Sequence, residues 1–114
     1  MNGDAVAGIT EDGDATVVRL RGELDLYNAA EIRTALADVV ARAPTRLVVD
    51  LSDVEFVDST ALGVLVEARA KLPNRRGFLL AAPAAETRRA LAVSGLDRHL
   101  PVHDTLAAAL AAEL

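Results

Sequence analysis

Leu47-Val48-Val49-Asp50-Leu51, followed by Val57-Asp58-Ser59-Thr60-Ala61-Leu62-Gly63, decides how this chain folds. The first piece is an almost unbroken apolar run, the pattern of a strand covered on both faces or of one inside a parallel sheet. The second opens a helical spacing that continues through Leu65, Val66, Arg69 and Leu72. A strand that turns and feeds a helix leaves the first N–H groups of that helix without intrahelical partners. Those donors, with the helix dipole behind them, favour negative charge. Ser59 is expected at that end, with an acid before it and a second hydroxyl, Thr60, after it. Two readings stay open at this point. Ser59 caps the helix, or its hydroxyl receives an anion. Spacing alone favours the cap, since Ser is a common N-cap residue.

Upstream of this stretch, Glu11-Asp12-Gly13-Asp14 reads as a hairpin turn between a short strand, 5–10, and a β-branched one, Ala15 to Arg21. Gly22 to Tyr27 breaks the alternation. A helix is expected from Asn28, with Glu31 three residues on as a capping-box partner. Its apolar positions are Ile32, Leu36, Val39, Val40 and Ala43, and Pro44 ends it. The central strand covers Arg46 to Leu51, with Asp50 as its polar exception, and Ser52 to Val57 is read as a loop with apolar anchors. Downstream of the helix Thr60 to Leu72, Pro73 to Gly77 is a loop and Phe78 to Ala82 a buried strand. A helix spans Ala84 to Val93 with Gly95 behind it. Leu96 to Val102 contains a short strand, and Asp104 caps a last helix, Thr105 to Leu114. The order β-β-α-β-α-β-α-β-α predicts one α/β domain over residues 1–114. It has a mixed four- to five-stranded sheet, parallel in its middle, with helices packed on it.

Composition narrows the function. Net charge is −5 and the pI about 4.9, whereas nucleic-acid binding rests on a basic surface that neutralises phosphates. Cysteine is absent, so neither disulfides nor thiolate metal sites are available, in keeping with a cytoplasmic protein. Met1-Asn2-Gly3-Asp4-Ala5 lacks the basic-then-apolar pattern of a signal peptide, and no apolar run approaches the ~20 residues that span a bilayer. The helix from Asn28 has a mixed rather than basic polar face, which fits core packing and not a membrane anchor.

Gly22-Glu23-Leu24-Asp25 ahead of a helix resembles one signature of the STAS domain. Val49-Asp50-Leu51 followed by Phe56-Val57-Asp58-Ser59-Thr60-Ala61-Leu62-Gly63 resembles its second. A looser third match runs from Pro83 to Ser94-Gly95-Leu96. The resemblance covers essentially the whole chain, and at this length it points to the bacterial anti-sigma factor antagonists. It implies a non-enzymatic cytoplasmic protein that binds an anti-sigma factor with serine-kinase activity and so frees a sigma factor. It implies Ser59 as phosphoacceptor, a serine phosphatase that reverses the modification, and a partner-binding face of Asp25, Asp58, Ser59 and Thr60. No cofactor or metal is implied. Ala61 departs from the family, where Gly is frequent.

Other chemistries fit the residues less well. A small serine hydrolase built on Ser59 lacks the Gly-x-Ser-x-Gly pattern. His99 and His103 are its only candidate bases, and they lie four residues apart across Pro101, a poor metal pair. An aspartyl-phosphate receiver built on Asp58 needs an acidic cluster and a suitably placed lysine, and the single Lys71 lies on the wrong helix. No Gly-rich phosphate loop is present. Within the same fold, the alternative is a subunit of a phospholipid-transport ATPase complex or of a stress-signalling complex, with Ser59-Thr60 as an interface element.

Overall fold

A strand of twelve residues, Arg46–Val57, forms the middle of the protein. In the computed structural model, which describes residues 5–114, it is β3 of a five-stranded sheet ordered β1-β2-β3-β4-β5. The other strands are β1 (Val6–Asp12), β2 (Ala15–Leu24), β4 (Phe78–Ala81) and β5 (Val102–His103), and β3 lies between β2 and β4. The β1–β2 hairpin is antiparallel, and every other pairing is parallel. Among the described residues there are four α-helices: α1 (Ala29–Ala41), α2 (Ser59–Lys71), α3 (Ala85–Ser94) and α4 (Leu106–Ala111). The element order is the expected one.

The apolar run in β3 follows from its place in the layers. Side chains of a strand alternate between faces. Leu47, Val49 and Leu51 enter the larger core with Ile32 and Leu36 of α1, Leu62 and Leu65 of α2 and Leu91 of α3. Val48 points the other way and packs with Val17, Leu79, Ala81 and Ala109 of α4. Leu47, Val48 and Val49 are fully buried. Each such side chain contributes about 1.5–3 kcal/mol relative to exposure.

Four local expectations are corrected. Ser52 to Val57 is strand, not loop. β2 runs on to Leu24, so Gly22 pairs with Val54 and Leu24 with Val57. The register shifts between Arg19 and Arg21 and again between Gly22 and Glu23, and Gly22 takes φ 75°, which suits a residue without Cβ. The Asn28–Glu31 capping box does not form. The Asn28 amide group turns back to the loop before α1, and Glu31 accepts from the Val6 N–H at 3.3 Å. Helix α1 stops at Ala41, and Ala43 lies beyond it at φ 51°. Thr105, not Asp104, caps α4. Its Oγ1 accepts from the Ala108 N–H, while Asp104 pairs with Arg88 at 2.9 Å. Gly95, at φ 79°, ends α3 as expected.

Among the described residues no helix is long and apolar enough to cross a membrane. The expectation about a signal peptide falls on Met1 to Ala5, of which Met1 to Asp4 lie outside the described residues.

Candidate functional site

The site is built where β2 and β3 end side by side. Leu24 and Val57 are paired, and the Asp58 N–H donates to the Leu24 carbonyl at 3.0 Å. One strand then leads into the loop Asp25–Asn28 and the other into α2, so the two sequence motifs meet.

Asp58 joins them. Its Oδ1 accepts from the Ala61 N–H at 3.0 Å, and its Oδ2 accepts from the Leu26 N–H at 3.1 Å. The N-cap of α2 is therefore Asp58, with extended backbone (φ −101°, ψ 177°), and the expectation that Ser59 is the cap is corrected. Three cap-competent residues stand in a row, and the first one beyond the strand takes the position. Ser59 is the first helical residue. It is exposed, and its hydroxyl has no hydrogen-bond partner among the described residues. Thr60 is exposed beside it. The first ladder bond of α2 runs from the Leu62 N–H to the Asp58 carbonyl. The N–H groups of Ser59 and Thr60 are thus left to solvent at the positive end of the helix.

Asp25 is half-buried and serves its own loop. Its Oδ1 accepts from the Tyr27 N–H at 3.0 Å, and its N–H donates to Asn28 Oδ1 at 2.9 Å. Asn28 Nδ2 donates to the Glu23 carbonyl at 2.7 Å. These bonds fix a short loop whose tip presents Leu26, 63% exposed, and Tyr27, 92% exposed. Across the site Phe56 is 51% exposed and Val93 of α3 is 81% exposed. Phe56 and Val93 border a groove of about 240 Å³, with Glu86 and Arg89 at its edge.

Sequence reasoning missed these apolar residues. The chain has only three aromatics, Tyr27, Phe56 and Phe78. Phe78 is fully buried, whereas the other two stand exposed within or beside the matched motifs. Their scarcity was the available signal. Ala61 is buried at 1%, so its methyl group fits where the family often has Gly.

The other candidate chemistries gain no support from placement. His99 and His103 lie before and within β5 and form no hydrogen bond with Ser59. Among the described residues no group of three His, Cys, Asp or Glu side chains is placed to hold a metal ion.

Comparison with known proteins agrees with the geometry. The family profile described as the STAS domain matches residues 7–109. The chain is 36% identical over 102 residues to the anti-sigma-F factor antagonist RsfB of Mycobacterium tuberculosis, covering 90% of this chain and 84% of that protein. It is 33% identical over 91 residues to an anti-sigma F factor antagonist of Paenibacillus polymyxa, covering 77% of each. The crystal structure of an anti-sigma factor antagonist from Mycobacterium paratuberculosis superposes with a TM-score of 0.87 at 35% identity. That match covers 96% of this chain and 94% of the other.

Proposed function

The chain belongs to the STAS domain family, and on that premise we propose that it is a cytoplasmic anti-sigma factor antagonist switched by phosphorylation of Ser59. In the unmodified state it captures an anti-sigma factor that is also a serine kinase, and the sigma factor is freed. The kinase transfers phosphate to Ser59 and capture ends. A serine phosphatase restores it. The protein itself is no enzyme.

The observation that carries this reading is the Ser59 hydroxyl. It is exposed, has no hydrogen-bond partner among the described residues and sits in the first turn of α2, whose cap Asp58 also binds the loop of the exposed Leu26 and Tyr27. Exposure and fixed backbone geometry suit a kinase acceptor, and the apolar tips suit a docking face. Asp58 and Asp25 act by positioning, since their carboxylates hold the loop that carries Leu26 and Tyr27. Thr60 lies on the same exposed turn and belongs to the contact.

Charge explains the direction of the switch. A phosphoserine adds roughly −1.5 to −2 charges at neutral pH. The helix N-terminus favours an anion by about 0.3–1 kcal/mol at an exposed site, so the fold tolerates it. A docked complex does not, because a desolvated phosphate between apolar surfaces has no counterion. About 1.4 kcal/mol weakens binding tenfold, so a penalty of a few kcal/mol makes a working switch.

The test is incubation with the cognate kinase and ATP, followed by mass spectrometry. Phosphate on Ser59 and loss of the complex are expected. Phosphate elsewhere, or none, refutes the switch. Ser59→Asp is expected to weaken capture and Ser59→Ala to bind constitutively. Tyr27→Ala is expected to weaken capture by about tenfold or more, the range of an exposed aromatic anchor, without changing thermal stability.

A further inference from the structure

A second apolar surface lies on α3, on the side turned away from the core. The helix buries Thr87 and Leu91. Val93, in its last turn, is the most exposed large aliphatic side chain among the described residues. Valine is a weak helix former, and at this exposure it packs against little of its own chain. Phe56, near the end of β3, is half exposed, and with Val93 it borders the groove of about 240 Å³ described above. Val57 and Ala90 complete the apolar part of the wall, and its charged residues are Glu86 and Arg89. Glu86, Arg89 with Ala90, and Val93 follow helical spacing, so they form one face of α3 about 10 Å long at 1.5 Å per residue.

The charges on this face are uncommitted and of opposite sign. Ion pairs among the described residues join Glu67 to Arg33 and Lys71, Glu11 to Arg42 and Asp104 to Arg88, and none uses Glu86 or Arg89. Residues three apart on a helix can pair with each other, yet these two do not. An acid and a base one turn apart make a face that is complementary to itself. Turned through a two-fold axis, a copy of the face sets acid against base twice. The exposed groove between β1 and α1 lacks this property. Val6, Ile9, Ala30 and Ala35 give it apolar walls, but its charged residues are Glu31 and Asp38, so a second copy there would set acid against acid.

We propose that the groove between Phe56 and Val93 receives a second copy of this chain. In a closed two-fold dimer the same patch serves both partners. The two α3 helices pack antiparallel, Val93 of each copy enters the groove beside Phe56 of the other, and Glu86 of each meets Arg89 of the other. Burial of the apolar side chains drives the contact, and the charge pairs fix its register and orientation more than its affinity. One helix face and one aromatic ring supply fewer than the roughly 20–30 residues a side of a standard interface, so the dimer is weak and depends on concentration. The net charge of −5 on each copy opposes association, and salt at physiological strength limits that repulsion to a range of about 8 Å. This contact does not depend on modification of Ser59.

Sedimentation velocity on the whole chain at physiological salt tests this, from about 10 to about 500 µM, a range that covers weak association. The weight-average mass is expected to rise with concentration from 12.0 kDa towards twice that value and no further. Val93→Asp is expected to weaken association at least about tenfold with an unchanged melting curve, since it removes the apolar anchor and places a charge in the groove. Glu86→Arg and Arg89→Glu are each expected to weaken it, because like charges then meet across the axis. An equal mixture of these two single variants is expected to associate more tightly than either alone, since each then supplies the charges that the other lacks. A mass that stays at the monomer value throughout, or a Val93→Asp protein that associates as the wild type does, overturns the dimer. A mixture that associates no better than its components overturns the antiparallel pairing of α3. A monomeric chain whose capture of the anti-sigma factor falls with Val93→Asp overturns the second copy in favour of that partner.

Discussion

Removing the Asp58 carboxylate is expected to uncouple the start of α2 from the loop that carries Leu26 and Tyr27. Asp58→Ala deletes the acceptor of the Ala61 N–H and the acceptor of the Leu26 N–H together. Loss of an N-cap costs about 1 kcal/mol. A hydrogen bond to a charged group contributes roughly 1.5–3 kcal/mol when buried, and solvent screening at this half-exposed carboxylate lowers that to about 1 kcal/mol. The total is about 2 kcal/mol. With an unfolding entropy of about 2.1 cal/mol/K per residue over 114 residues, that corresponds to a fall in Tm of about 8 °C. Asp58→Asn separates the two roles. Asparagine has one acceptor oxygen, and its amide NH₂ donates. With the oxygen on Ala61, the NH₂ faces the Leu26 N–H, donor against donor. About half the loss is therefore expected, together with faster amide exchange at Leu26 and retained protection at Ala61. Differential scanning calorimetry and residue-resolved hydrogen exchange read both. An Asp58→Asn protein that melts with the wild type, or an Asp58→Ala protein that loses less than about 2 °C, refutes the two-sided role of this carboxylate.

Ser59→Ala is expected to shift stability by no more than about 0.5 kcal/mol, because Ser59 is exposed and does not cap α2; urea denaturation checks this. Gly77→Ala is expected to destabilise by about 1–3 kcal/mol, since a Cβ there overlaps the Thr45 carbonyl oxygen and backbone must move; a matching fall in the urea midpoint is the readout. Glu67 bridges α1 and α2 through Lys71 on its own helix and Arg33 on the other, and these hydrogen bonds hold its carboxyl below the usual range. A folded-state pKa below the unfolded one contributes stability that is present above the unfolded value and lost as the pH falls through the folded one. Glu67→Gln is therefore expected to lower Tm slightly at neutral pH, with the difference closing below the carboxylate range. A difference that grows on acidification refutes the sign.

The sequence carried the order of elements because the strongest patterns were the buried ones. Leu47 to Leu51 reads as a central strand since both of its faces are covered, and the Asp-Gly turn fixes the hairpin before it. Ser52 to Val57 was illegible for the opposite reason. Ser52, Asp53, Glu55 and Phe56 are exposed, and the segment is a strand because β2 extends far enough to pair with it. That extension depends on the positive φ of Gly22, a conformation no pattern announces. The cap of α2 was ambiguous by a single residue. Asp58, Ser59 and Thr60 all suit an N-cap, and only the point at which β3 ends selects among them. Asp58 precedes Ser59 in the chain and binds the loop that holds Asp25, but the engagement of both carboxylates with backbone N–H groups needed coordinates. The exposure of Tyr27 and Phe56 is a tertiary property, hidden from a reading that treats aromatics as core.

The shift of the cap from Ser59 to Asp58 bears directly on the proposed switch. An N-cap serine gives its hydroxyl oxygen to a backbone N–H, so modifying it competes with the bond that starts the helix. Here Asp58 holds that bond, and the exposed Ser59 hydroxyl, one residue later, has no partner among the described residues. Stability and modification are thereby assigned to different side chains. A phosphate on Ser59 meets the free N–H groups of the first turn, a favourable electrostatic setting. It also lies one residue from the Asp58 carboxylate, and the resulting repulsion is eased by solvent at an exposed turn. Neither effect approaches the 5–15 kcal/mol that holds a domain folded. In the proposed switch the charge therefore acts where water is excluded, at a docked surface, and a complex resting on the exposed Leu26 and Tyr27 would be such a surface. Asp58 sets how sharply this works. By tying the loop of Leu26 and Tyr27 to the start of α2, it links these apolar side chains to the turn that carries Ser59, so under the proposed switch a charge on Ser59 is felt by a partner resting on that loop.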